Sequence, residues 1–150
     1  MQEKEKVVIY QKEYKNITYV LLDEVSIFCQ DNIIKVNAIW DTGSTNSCIS
    51  ISLANQLRLQ PVRNGELKSS GGSMDTSFYK ITFSLIPELT FKNEVMSFNN
   101  CNQNIDFLIG MDIISKGEFN LATNNGYTLL TFKYPVTTEI EFVRVFSSTQ

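Results

Sequence analysis

Asp41 stands at the end of an apolar run, Ala38-Ile-Trp40, and opens a turn of small residues, Thr42-Gly43-Ser44. A carboxylate so placed can take a proton from a water or give one to a carbonyl oxygen. Thr42 and Ser44 supply hydroxyls that can fix the carboxylate and its backbone. Gly43 lets the chain turn tightly and lets a second backbone come close. Further along, Phe107-Leu-Ile-Gly110 is another apolar run that ends in glycine. Two such carboxylates brought into hydrogen-bond range share one proton, because like charges there cannot both ionise, and the pair can activate a water. The ionised member takes the proton of the water, and the protonated member donates to the carbonyl. Neither a covalent intermediate nor a metal is required. The chain carries one Asp-Thr-Gly. If two such turns meet on a two-fold axis, an identical subunit supplies the second carboxylate.

Strand signals dominate the segments that must position this turn. Val7–Tyr10, Thr18–Leu22 and Val25–Phe28 are short, β-branched and aromatic. Asp31-Asn32 reads as a turn, and Ile33–Trp40 follows as a strand that becomes wholly apolar near its end. Such a strand is buried on both faces, so Asp41 is expected in partly desolvated surroundings. Ser52–Leu57 reads as a helix capped by Ser50 or Ser52. A second short helix is expected over Met111–Lys116, with Gly117 as its stop. Between them, Lys68-Ser-Ser-Gly-Gly-Ser73 reads as the end of a hairpin whose tip is Gly71-Gly72. More strands are expected at Leu89–Phe91, Val95–Phe98, Phe119–Leu121, Tyr127–Tyr134 and Glu139–Phe146. Asn124-Asn-Gly126 is a turn. The fold class is all-β with one or two short helices.

Composition narrows the function classes. At 150 residues the chain is most simply one domain, and an apolar fraction of 43% supports a core. A net charge of −3 without a basic cluster argues against nucleic acid as a partner. There are no histidines. This removes Ser-His-Asp and Cys-His hydrolases and histidine metal sites. The cysteines Cys29, Cys48 and Cys101 have no CxxC spacing and read as reduced small hydrophobes. No cofactor or metal is implied. No apolar stretch approaches the roughly 20 residues that span a bilayer, and no signal-peptide core follows the charged N-terminus. The expectation for the chain as given is a soluble protein with no membrane partner, with the cytoplasm favoured.

The stretch from about Ile33 to Asn120 resembles a retropepsin-like (retroviral-type) aspartic protease of the bacterial single-lobe kind. The matching pieces are Ala38-Ile-Trp-Asp-Thr-Gly-Ser-Thr-Asn-Ser-Cys-Ile49, the flap-like Ser69-Ser-Gly-Gly72, and Phe107-Leu-Ile-Gly-Met-Asp-Ile-Ile114. The resemblance implies a closed β-barrel-like fold with one lobe per chain, a homodimer, and endopeptidase activity on peptides or proteins. It makes Asp41 catalytic and gives Thr42 a grip on the opposite subunit's loop. Gly43 would help hold the substrate backbone, and Ser44 would support the carboxylate. Ser70, Gly71 and Gly72 would form the flap over the substrate, and Ile109 and Gly110 would pack under the acidic loop. The segments before about residue 30 and after Val136 carry no matching motif.

Two other readings use the same residues. One is a catalytically inactive peptide-binding or dimerisation module on the same scaffold. The other takes residues 41–45 as the phosphate-binding turn of a sugar kinase or actin-type ATPase. That turn opens a much larger α/β domain, whereas here it follows several strands. Asp112 reads as an early-helix residue favoured by the helix dipole, and Asp106 as a loop residue. Neither is expected as the second catalytic carboxylate. Trp40 is expected in the core.

Overall fold

The computed structural model describes residues 6–100 and 104–135. The described residues form two sheets. Strands β1 (Val8–Tyr14), β9 (Glu118–Asn124) and β10 (Tyr127–Tyr134) make an antiparallel sheet with β10 in the middle. Tyr127 pairs with Asn124, so the β9–β10 turn is Asn125-Gly126. Both residues have positive φ, 50° and 81°, as a tight hairpin turn of this kind demands.

The larger sheet contains β2 (Leu22–Cys29), β3 (Asn32–Trp40), β4 (Cys48–Ser50), β5 (Arg63–Ser69), β6 (Gly72–Ser84), β7 (Thr90–Phe98) and β8 (Phe107–Ile109). Their spatial order is β2-β3-β8-β4-β7-β6-β5. The end of β6 also pairs back onto β2, with Ser84 opposite Ser26 and Thr82 opposite Phe28. That closes the barrel by giving β2 a partner on each side. Strand β5 stays outside the closure, on the first half of β6, as a projecting arm. Alternating residues fill the interior. Ile27, Ala38, Ile49, Phe83, Val95 and Phe107 have no exposed surface, and the Phe83 and Phe107 rings lie 4.7 Å apart. This is the all-β fold with short helices that the residue pattern predicts, closed into the barrel that the resemblance implies.

Several boundaries differ from expectation, each for a physical reason. Residues 18–21 are a bend rather than a strand, held where the Thr18 hydroxyl donates to Val20 O at 2.7 Å. The two strands expected at 89–91 and 95–98 are one. The polar Lys92-Asn93-Glu94 between them continues the ladder opposite Thr82, Ile81 and Lys80. Strand β4 was not foreseen; three residues are too few for an alternation to register. Helix α1 (Ile51–Gln56) starts one residue early because Ser50 Oγ accepts from the Leu53 amide at 3.1 Å. Helix α2 (Met111–Ile114) ends before Lys116, with Ser115 as its cap. Gly117 is needed instead for contact with β10, since a Cβ there would collide with the Lys133 carbonyl and the Phe132 ring. In the hairpin, Ser69 pairs with Gly72. The turn is therefore Ser70-Gly71, one residue earlier than expected, and Gly72 takes a φ of 123°. The expected strand Glu139–Phe146 and Cys101 lie outside the described residues. Among the described residues no helix is long and apolar enough to cross a membrane.

Candidate active site

Strand β8 determines the shape of the acidic loop. It pairs in parallel with β3, Trp40 opposite Ile109, and antiparallel with β4, Cys48 opposite Leu108. The loop from Asp41 to Ser47 thus leaves on one side of β8 and returns on the other. The Asp41 amide donates to Ile109 O at 2.9 Å, and Ile109 itself is fully buried. Beyond it the chain passes so close under the loop that a Cβ on Gly110 would lie 2.6 Å from the Asn46 carbonyl and 2.8 Å from Ser44 O. The Met111 and Asp112 amides then donate to Ser44 O and Thr45 O, at 2.8 and 3.1 Å.

Asp112 holds the same loop from its side chain. Its carboxylate accepts from the Ser47 amide at 2.9 Å, the Ser47 hydroxyl at 2.7 Å, Asn93 Nδ2 at 2.8 Å and the Ile113 amide at 2.9 Å. The Gly110 amide donates in turn to Ser47 Oγ at 3.0 Å. Ser47 and Asn93 were not singled out from the sequence. An acidic residue at the start of a short helix, with a buried serine after the turn, is the only trace they leave there. Asp106 lies elsewhere, accepting from Ser50 Oγ at 2.7 Å at the entrance to α1.

The Asp41 carboxylate accepts from the Gly43 amide at 2.9 Å. A Cβ on Gly43 would stand 3.2 Å from that oxygen, so glycine leaves the carboxylate room. Asp41 is half-buried, and Thr42 and Gly43 are exposed. In the single chain the turn is therefore at the surface rather than in the dry surroundings its strand suggests. The Ser44 hydroxyl donates to Asn46 O at 2.6 Å, which braces the loop and not the carboxylate itself. The Cys48 thiol, 3.3 Å from Asn46 O, is pushed up to about 11. Burial is the main cause, the charges of Asp112 and Asp41 add to it, and the Ser44 hydrogen bond opposes it.

A cleft of about 420 Å³ opens beside Asp41, lined among others by Tyr19, Val20, Trp40, Thr42 and Leu121. Ser70, Gly71 and Gly72 sit exposed at the end of the β5–β6 arm and do not line this cleft. Under the base of the arm lies a second cleft of about 460 Å³, walled by Ile51, Thr76, Tyr79 and Ser97 among others.

The profile of the aspartyl protease family matches residues 25–113, from β2 through α2. The chain belongs to the aspartyl protease family. Its fold is retropepsin-like. It is similar to a retropepsin-like aspartic protease from Rickettsia conorii, at 13% identity and a TM-score of 0.53, over 88% of this chain and 98% of that one. It is also similar to the EIAV protease in complex with the inhibitor HBY-793, at 19% identity and a TM-score of 0.51, over 67% of this chain and 89% of that one. No curated protein sequence matches the chain.

Proposed function

We propose that this chain is an aspartic endopeptidase that works as a homodimer. Each copy contributes one Asp41 to a water-activating dyad. The observation that carries the reading is a half-site at the surface. One carboxylate ends a buried strand, on a loop braced by Gly110 and Asp112, with Thr42 and Gly43 open beside it. A single carboxylate cannot act as both acid and base in one step. Around it lie exposed apolar side chains, Tyr19 (95% exposed), Val20 and Leu121, and among the described residues β9 forms an outer edge of the small sheet. This face suits a second copy better than water.

In the dimer the ionised Asp41 takes a proton from a water, whose oxygen attacks the peptide carbonyl carbon. The protonated Asp41 gives its proton to the carbonyl oxygen. Transfer of a proton to the amide nitrogen then lets the C–N bond break. Thr42 grips the opposite loop, and Gly43 offers its backbone to the substrate. Ser44 supports the carboxylate indirectly, by bracing the loop, while Ile109 and Gly110 hold the loop from below. Ser70, Gly71 and Gly72 form the flap.

The test is a peptide library at acid to neutral pH, with and without a statine inhibitor. We expect cleavage by the wild-type protein and block by the statine. Asp41→Asn should fold and lose at least about a hundred-fold in turnover. Substantial turnover by Asp41→Asn dimers would sink the assignment.

A further inference from the structure

Asp23 lies in β2 among the inward-facing Val25 and Ile27, with a side chain only 4% exposed. A carboxylate so buried needs donors on its oxygens. The Tyr10 hydroxyl is within hydrogen-bond distance of both, at 2.8 and 2.7 Å. The Trp40 indole N–H donates to Oδ2 at 2.9 Å. The Glu24 amide donates to Oδ1 at 2.7 Å and the Lys12 ammonium at 3.3 Å. Burial, and then the carboxylate itself, push the Tyr10 hydroxyl far above the usual tyrosine range, which keeps it a donor.

Trp40 immediately precedes Asp41. Its ring packs against Tyr10 of β1, Phe119 of β9 and Phe132 of β10, with centroids 6.4, 5.5 and 5.4 Å away. Its amide donates to Leu21 O at 3.1 Å. The indole is thus where the small sheet meets the barrel, one peptide unit from the carboxylate in the cleft. An apolar residue at position 23 could fill the space with equal or greater stability. What a carboxylate adds is direction, since its oxygens hold Tyr10 and Trp40 at set angles.

We propose that Asp23 is a positioning residue for hydrolysis: by gripping the Trp40 indole it sets where β3 ends and where Asp41 stands in the cleft. The proposal rests on the protease reading. It assigns Asp23 no contact with substrate.

Asp23→Asn keeps the shape but turns one oxygen into an NH2. Either the Glu24 amide or the indole N–H then faces a donor. Trp40 is the only tryptophan of the chain, so its emission reports the indole directly. The experiment compares wild type, Asp23→Asn, Trp40→Phe and the double variant. Turnover is expressed per active site titrated with a tight peptide-like inhibitor. Asp23→Asn should shift the emission and lower kcat at least about ten-fold. In the Trp40→Phe background it should cost less than about two-fold more, because the group it acts through is gone. A merely structural Asp23 would lower the melting temperature and the titratable fraction but leave kcat per site alone. A kcat within two-fold of wild type, or losses that multiply in the double variant, would overturn the proposal. Should Asp23→Asn not fold, Trp40→Phe alone replaces it, since it removes the gripped indole N–H, with an expected kcat loss of at least about three-fold per titrated site; an unchanged kcat then overturns the proposal. Wild type without turnover would bring down the protease reading and this inference together, whereas wild-type turnover matched by Asp23→Asn brings down only the inference.

Discussion

At Gly110 the constraint is steric and not conformational. Its backbone angles, φ −95° and ψ −174°, are open to any residue, but the atoms facing it are the carbonyls of the acidic loop. A methyl group there must push that loop away, and backbone cannot swing aside as a side chain can. Gly110→Ala should cost about 1–3 kcal/mol of stability and depress turnover together with it, as read by thermal melting and peptide cleavage. A stable, fully active variant would mean the loop is not clamped by this crossing. Cys48 gives a prediction in pH. The unfolded thiol loses its proton near the ordinary value of 9.0 and the folded one near 11. Between these values the folded state binds more protons, so stability falls as pH rises, while below about 9 the contribution is fully present. Melting temperatures from about pH 8 to 11 should decline less steeply in Cys48→Ala than in the wild type. Equal slopes would contradict the assignment. Tyr14, pushed up to about 12 chiefly by burial, titrates in the same direction and remains in both proteins.

Among the elements, the β5–β6 arm has a firm base and an open end. At the base the Arg63 guanidinium lies 3.6 Å from the centre of the Phe78 ring. The strands pass so closely there that a Cβ on Gly65 would lie 2.5 Å from the same ring. Arg63 also bonds Glu94 on β7 at 3.0 Å. At the far end Leu67 and Met74 face each other across the ladder, both exposed. A cover over an extended peptide needs this division, rigid at the hinge and free at the tip. Hydrogen exchange in residues 68–73 should be fast in the free protein and slow with a peptide-like inhibitor. If protection rises around Asp41 but not in 68–73, the arm is not the flap.

For the whole molecule the consequence is concentration dependence. On the proposed homodimer reading a chain with half a dyad is inactive alone, and the active species is set by the dimer population. Activity should fall more steeply than linearly on dilution, with sedimentation reporting the same midpoint. Specific activity that stays constant down to a concentration where the protein sediments as a monomer would refute the homodimer. The apolar face around Tyr19, Val20 and Leu121 makes the same point from the side of stability. In a lone chain these side chains contact water, and burying them is a driving force for association.

The amino-acid sequence by itself determined the local parts: the apolar strand into Asp41, the small-residue turn, the Phe107–Gly110 run, the glycine-tipped hairpin and most of the strands. These are legible because alternation, turn chemistry and breakers act over a few neighbouring residues. Tertiary structure alone decided that β8 runs between β3 and β4, that Gly110 must lack a side chain, and that Asp112 reaches back to Ser47 and Asn93. It also decided that Asp23, an unremarked acid in an ordinary strand, closes on the indole beside Asp41. Each of these joins residues distant along the chain, through barrel closure and strand register. No local periodicity encodes such a contact, because its partners become neighbours only once the whole core has packed.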